Sequence, residues 1–197
     1  MMKPRTRIRA RHRVSPYRVC ALFLLCVLTN SGNLPANTTA EEYSVKAAFL
    51  FHFAQFVDWP AETFKGAGTP LVYCTIGADP FHGALDASLS GKSVGTHPIQ
   101  VQHFKQTSDL QGCHIVFIGE NERRLFSTVF ELYKGNPVLI VGESERFAQE
   151  GGMIGFCVEE NKIRFDINLE VAEKAGLKIS SRLLVLARTV IGGQRGT

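Results

Sequence analysis

From Glu41 to Trp59 apolar residues recur at helical spacing: Val45, Phe49, Phe53, Phe56 and Val57, with Ala48 and Leu50 beside them. Acids at the start and Pro60 after the end bound the predicted helix. Phe51 and Trp59 fall off the stripe. Either they complete a helix buried on most sides beside a sheet, or they face another protein. Leu71–Gly77 reads as a strand, after which Asp79 and Pro80 offer a cap and a first helical position for a short helix reaching about Leu89. Gly91 and Gly95 punctuate the path to a second strand, Pro98–Phe104. Cys113–Gly119 is a third, and its run Ile115–Ile118 is apolar on both faces, as expected under helices on both sides. Leu125, Phe126, Val129 and Leu132 mark one side of a helix over 121–133, and Pro137–Val141 is the next strand.

The alternation then gives way to a hairpin. Gly151–Val158 and Lys162–Ile167 flank Glu159-Glu160-Asn161, a turn in which Asn accepts positive φ. Asn168 can cap a helix that stops at Gly176, and Ser180 or Ser181 can cap a last one with Leu183, Leu184, Ala187 and Val190 at core spacing. Strand-helix-strand order followed by a hairpin predicts a single-domain, three-layer α/β fold. Its central sheet is mostly parallel but mixed, flanked by helices, with a C-terminal hairpin plus helices.

Charge divides the chain. Residues 1–40 hold seven of the 22 Lys and Arg and no acid, leaving 15 bases against 18 acids in residues 41–197, a net of −3. A mildly acidic body lacks the clustered cations that nucleic-acid binding requires. The basic stretch to Arg18, the apolar run Val19–Leu28 and small residues up to Ala40 have the layout of a signal peptide over residues 1–40, cleaved before Glu41. The apolar run is too short to span a bilayer. The remaining 41–197 is therefore expected to be exported and not membrane-spanning after cleavage.

Enzyme templates find no match. Phosphate-binding glycine motifs are absent, and Gly151-Gly152 enters a strand, where close packing or a bend accounts for it. His82, His97, His103 and His114 are scattered over turns and strand ends and read as surface or cap residues, Glu159-Glu160 as solvated charge. No metal-ligand spacing exists around the cysteines. Neither a catalytic residue, a metal nor a cofactor is expected. Cys74 and Cys113 fall on the first and third predicted strands, which commonly neighbour one another at a topological switch point. They are either two buried thiols or a disulfide, and export favours the bond. Cys157 is left over.

Six blocks carry a resemblance: Tyr43–Pro60, Gly77–Phe81, Cys113–Ile118, Gly151–Ile154, Phe165–Asn168 and Ala175–Ser181. In this order they resemble the YfiR/HmsC-like family of periplasmic proteins. The resemblance implies a non-enzymatic repressor that binds the periplasmic domain of an inner-membrane diguanylate cyclase. It would thereby lower cyclic di-GMP and the exopolysaccharide and biofilm that follow from it. It also implies a disulfide at Cys74 and Cys113 that supports folding; the second cysteine pair of some members is not reproduced, since Cys157 has no mate. Phe51, Trp59, Met153 and Ile154 are the candidate partner contacts, chosen as residue types that dominate hot spots, and a homodimer is a further possible assembly. The alternative is a small-molecule sensor without a cyclase partner. Its ligand would sit in the crevice at the strand carboxyl ends, near Gly77-Ala78-Asp79 and Gly119-Glu120-Asn121.

Overall fold

The structure, a computed structural model, describes residues 38–193. The expected signal peptide lies outside the described residues, apart from Thr38–Ala40, which form the first turn of a helix. In chain order the elements are α1 (Thr38–Gln55), β1 (Val57–Asp58), β2 (Leu71–Ile76), α2 (Ala84–Leu89), β3 (Ser93–Val94), β4 (His97–Phe104) and β5 (Ile115–Ile118). There follow α3 (Phe126–Tyr133), β6 (Leu139–Gly142), β7 (Ile154–Glu159), β8 (Lys162–Asn168), α4 (Leu169–Lys174), β9 (Lys178–Ile179), α5 (Ser181–Leu184) and β10 (Thr189–Ile191).

Eight strands form one sheet in the order β10-β8-β7-β6-β5-β2-β4-β3. The five from β4 to β7 run parallel; β8 returns antiparallel beside β7, β10 lies parallel to β8, and β3 pairs antiparallel with β4. Because β2 lies between β4 and β5, the winding direction reverses at the β2–β5 boundary, which is the switch point. The expected α/β class and mixed, mostly parallel sheet are the observed ones.

Successive residues of a strand face opposite sides, and the two faces build two cores. Leu71, Tyr73, Ile115, Phe117, Leu139, Val141, Ile154, Phe156, Phe165 and Ile167 pack with Leu50 and Phe53 of α1, Leu85 of α2, and Ala172, Leu177 and Leu183 near the C-terminus. Val72, Cys74, Ile76, Val116, Ile118 and Ile140 pack on the other face with Leu110, Val129, Tyr133 and Phe147. Helix, sheet and helix are the three layers.

Several elements differ from expectation. The buried face of α1 is Ala47, Leu50, Phe53 and Ala54, whereas Val45, placed on the predicted stripe, is 40% exposed. The chain leaves the helix at Gln55 because Val57 and Asp58 pair as β1 with Ile179 and Lys178 of β9. The helix over 121–133 begins as a 3-10 segment, Glu120–Leu125, and turns Leu132 outward while Tyr133 is buried. The last helix ends at Leu184, and Val190, expected on its core side, belongs to edge strand β10. Other details agree. Asn168 Oδ1 accepts from Val171 N at 3.1 Å, Ser180 Oγ from Arg182 N at 3.3 Å, and Glu160 and Asn161 turn the β7–β8 hairpin with φ of 49° and 59°.

Candidate functional site

Three regions bear on function: the cysteine pair, the carboxyl ends of the parallel strands, and the outer face of α1. Cys74 lies in the middle of β2 and Cys113 two residues before β5; the structure bonds them, with Cα atoms 5.9 Å apart and a sequence separation of 39. The bond sits in the α3-side core and straddles the switch point. His114 is next in sequence. It is buried, contrary to its reading as a surface or cap residue, and its Nδ1 accepts from Val72 N at 3.1 Å. Its ring stacks on Phe64, which stacks in turn on His97, with centroids 4.9 and 3.9 Å apart. Burial, then the neighbouring His97, lowers its pKa, while a hydrogen bond with the Thr63 backbone works the other way.

At the carboxyl ends, the crevice expected beside Gly77 and Gly119 is occupied by the protein itself. Glu122, in the 3-10 segment after β5, accepts from Ala78 N at 3.2 Å. Its carboxyl carbon lies 2.3 Å from where a Gly77 Cβ would stand, so only glycine, here at φ 84°, admits it. Asp79 is spent on the turn, accepting from Phe81 N and Gly83 N at 3.0 and 3.2 Å. Further along the edge, Glu143 follows β6 and accepts from Lys46 Nζ, from Tyr43 Oη at 2.8 Å and from Glu120 N at 3.0 Å. Lys46 also reaches Glu42 at 2.6 Å. Burial first, then the hydrogen bond and charge of Glu143, raise the Tyr43 pKa. A second pair closes the sheet edge: Arg188 donates from Nε and Nη2 to Asp166 at 2.9 and 2.6 Å, and Gln149 adds a bond at 3.2 Å. Burial opposes ionisation of Asp166, but the Arg188 and Gln149 hydrogen bonds outweigh it and hold the carboxyl below its usual range.

Between these pairs opens a cleft of about 480 Å³, lined by Glu143, Ser144, Gln149, Cys157, Asp166 and Arg188 among others. Burial pushes the Cys157 thiol up, with Arg188 pulling the other way. The cleft lies toward β7 and β8 rather than at the switch point. Cys157 apart, its residues escaped the sequence reading, although Asp166 leaves a trace there by interrupting the apolar strand Phe165–Ile167, as the neighbouring Lys46 does by placing a cation beside the apolar stripe of α1.

The four candidate contacts separate. Met153 and Ile154 are 3% and 0% exposed and belong to the core, so they offer no surface in this fold. The reason is the chain entering β7: Gly142 and Gly152 lie against the Phe147 ring, a Cβ at Gly152 would stand 2.1 Å from it, and this close packing draws the segment inward. Trp59 is half-buried, its indole nitrogen buried and without a partner among the described residues. Phe51 is half-buried beside exposed α1 residues Ala48, His52 and Gln55, with the Lys92 ammonium 4.4 Å from its ring centre.

A family model described as YfiR/HmsC-like matches residues 43–188, from the tyrosine on Glu143 to the arginine on Asp166. The chain belongs to the YfiR/HmsC-like family. Among solved structures, an ABC domain in complex with L-Trp from Streptococcus pneumonia is similar at 10% identity and a TM-score of 0.43. That match covers 61% of this chain and 56% of the other, so the chain spans little more than half of that structure. In this YfiR/HmsC-like chain, no group of three His, Cys, Asp or Glu side chains among the described residues is placed to hold a metal. None of the described helices is long and apolar enough to cross a membrane.

Proposed function

We propose that this protein is an exported, non-catalytic regulator that binds the periplasmic domain of an inner-membrane diguanylate cyclase and holds it inactive. Cyclic di-GMP, exopolysaccharide and biofilm fall as a result. The observation that carries the reading is family membership over residues 43–188. Two features support it. A disulfide in the core suits an oxidising compartment. The ionic groups at the strand carboxyl ends are committed to one another, Lys46 to Glu143 and Arg188 to Asp166.

Regulation of this kind works through unequal affinity for two states of the cyclase. Moving it from almost fully active to almost fully inactive takes about 5.5 kcal/mol of differential binding. The outer face of α1 around Phe51, together with the half-buried Trp59, is the surface we assign to that contact. The experiment compares cellular cyclic di-GMP in a gene deletion, the wild type restored, and Phe51→Asp restored. Deletion raises the level, wild type lowers it, and Phe51→Asp folds but fails to lower it. A level that stays flat across deletion and restoration removes the cyclase from the reading.

The cleft of about 480 Å³ favours a second reading, a sensor for a small molecule. Ser144 lines it and is 4% exposed. Under that reading a metabolite screen gives a thermal upshift that Ser144→Val abolishes, while cyclic di-GMP is unmoved by deletion.

A further inference from the structure

Between α3 and α4 lies a half-open pocket of about 260 Å³ that shares no residue with the carboxyl-end cleft. Phe130, Ile140, Met153, Val171 and Ala175 supply apolar walls. Lys134 and Lys174 also line it, and their side chains are largely exposed, so their ammonium groups stand at its mouth. Each meets one surface carboxylate, Glu131 at 3.2 Å and Glu170 at 2.5 Å. Exposed pairs of this kind exchange readily with another anion.

Tyr133 is the second, independent observation. It lines this pocket and also a neighbouring one of about 690 Å³, the residue is only 9% exposed, and its hydroxyl is buried with no hydrogen-bond partner among the described residues. Burial pushes its pKa up to about 12, so it stays a neutral donor. A buried hydroxyl without a partner is uncommon and points to a group that completes it.

Apolar walls, a buried donor and two cations at the rim fit a ligand with an apolar tail and an anionic head. The pocket is smaller than the roughly 300–1,000 Å³ that holds drug-sized ligands. We propose that it binds a short aliphatic carboxylate, the chain against Met153, Ile140 and Phe130 and the head between Lys134 and Lys174. The same chemistry is offered by a free acid or by the acyl end of an anionic lysolipid. This site is independent of the regulator reading.

The test uses purified protein, calorimetric binding and thermal shift, with octanoate, octanol, octylamine and lysophosphatidylglycerol as probes. Octanoate raises the melting temperature and binds at least tenfold tighter than octanol, and octylamine does not bind. Lys134→Gln with Lys174→Gln brings octanoate to within about twofold of octanol, Tyr133→Phe weakens octanoate several-fold, and Ala175→Leu blocks both. Lysolipid that competes with octanoate identifies a lipid source; octanoate binding without lysolipid identifies a free acid. No shift with octanoate, equal binding of octanol, or undiminished binding in Ala175→Leu overturns the proposal. Should Ala175→Leu fail to fold, the surface lysine pair decides alone, because those side chains carry no core packing.

Discussion

Glu143 shows how one buried charge is made tolerable. Its side chain and that of Lys46 are each only 5% exposed, and the carboxylate collects an ammonium, a phenol and a backbone N–H. Removing the cation leaves a charge in low dielectric, a loss that typically reaches about 3–5 kcal/mol. Lys46→Met is therefore expected to cost about 3 kcal/mol in urea unfolding, and adding Glu143→Gln to recover more than half of it. A single variant within about 0.5 kcal/mol of wild type would show that water reaches the pair. Phe147 makes the steric counterpart. Its ring occupies the space that a side chain on Gly142 or Gly152 would need. Gly152→Ala is expected to destabilise by about 1–3 kcal/mol, as overpacking does. Phe147→Leu in the same chain should return part of that, which melting curves of the three proteins would reveal.

Among the elements, β5 depends on a side chain where it begins. His114 N donates to Val72 O at 2.9 Å while its Nδ1 receives Val72 N, so imidazole and backbone together join the start of β5 to β2. Protonation of Nδ1 removes that acceptor. The folded pKa is lowered relative to an unfolded value near 6.5. The unfolded chain therefore takes up the proton first as pH falls. The contribution is complete above about pH 6.5 and is lost as pH drops toward the folded pKa. The urea midpoint is expected to fall between pH 7.5 and 5.5, and His114→Gln to flatten that part of the profile; an unchanged slope in the variant would assign it to other groups. Other elements show what the sequence makes legible. β2, β5 and the β7–β8 hairpin are readable because continuous apolar runs and an Asn turn are local signals. The face of α1 is not, since apolar residues surround it and only the tertiary partners decide that Ala47 turns in and Val45 out. β1, β9 and β10 are two or three residues long and exist through pairing with distant segments, which no local pattern encodes. The same holds for the site: the strand pattern puts Cys74 and Cys113 on neighbouring strands, whereas Met153 and Ile154, expected at a partner surface, are buried because Phe147 draws their segment inward.

At the scale of the whole molecule the disulfide ties together two neighbouring interior strands, β2 and the entry to β5, across the switch point. The loop it closes spans 39 residues and contains α2, β3 and β4, all on one side of the switch point. Closing a loop of that length restricts the unfolded chain by about 4 kcal/mol at room temperature in the loop-entropy description. Domains of ordinary stability hold about 5–15 kcal/mol in all, so the bond is a large share of what keeps this fold populated. Reduction is expected to lower the unfolding free energy by about 3–4 kcal/mol, and Cys74→Ala with Cys113→Ala to do the same while abolishing any response to reductant. The location of the effect is testable as well. A bond that acts on the unfolded chain leaves it more compact, so its removal should expose more surface on unfolding and steepen the denaturant dependence. A lost native contact would shift the midpoint with the slope unchanged. Urea curves of the oxidised, reduced and double-alanine proteins, with thiols counted by mass spectrometry, separate the two. A steeper slope places the bond's contribution in the unfolded ensemble, and an unmoved midpoint in fully reduced protein would mean that packing on the two faces of the sheet holds the fold without it.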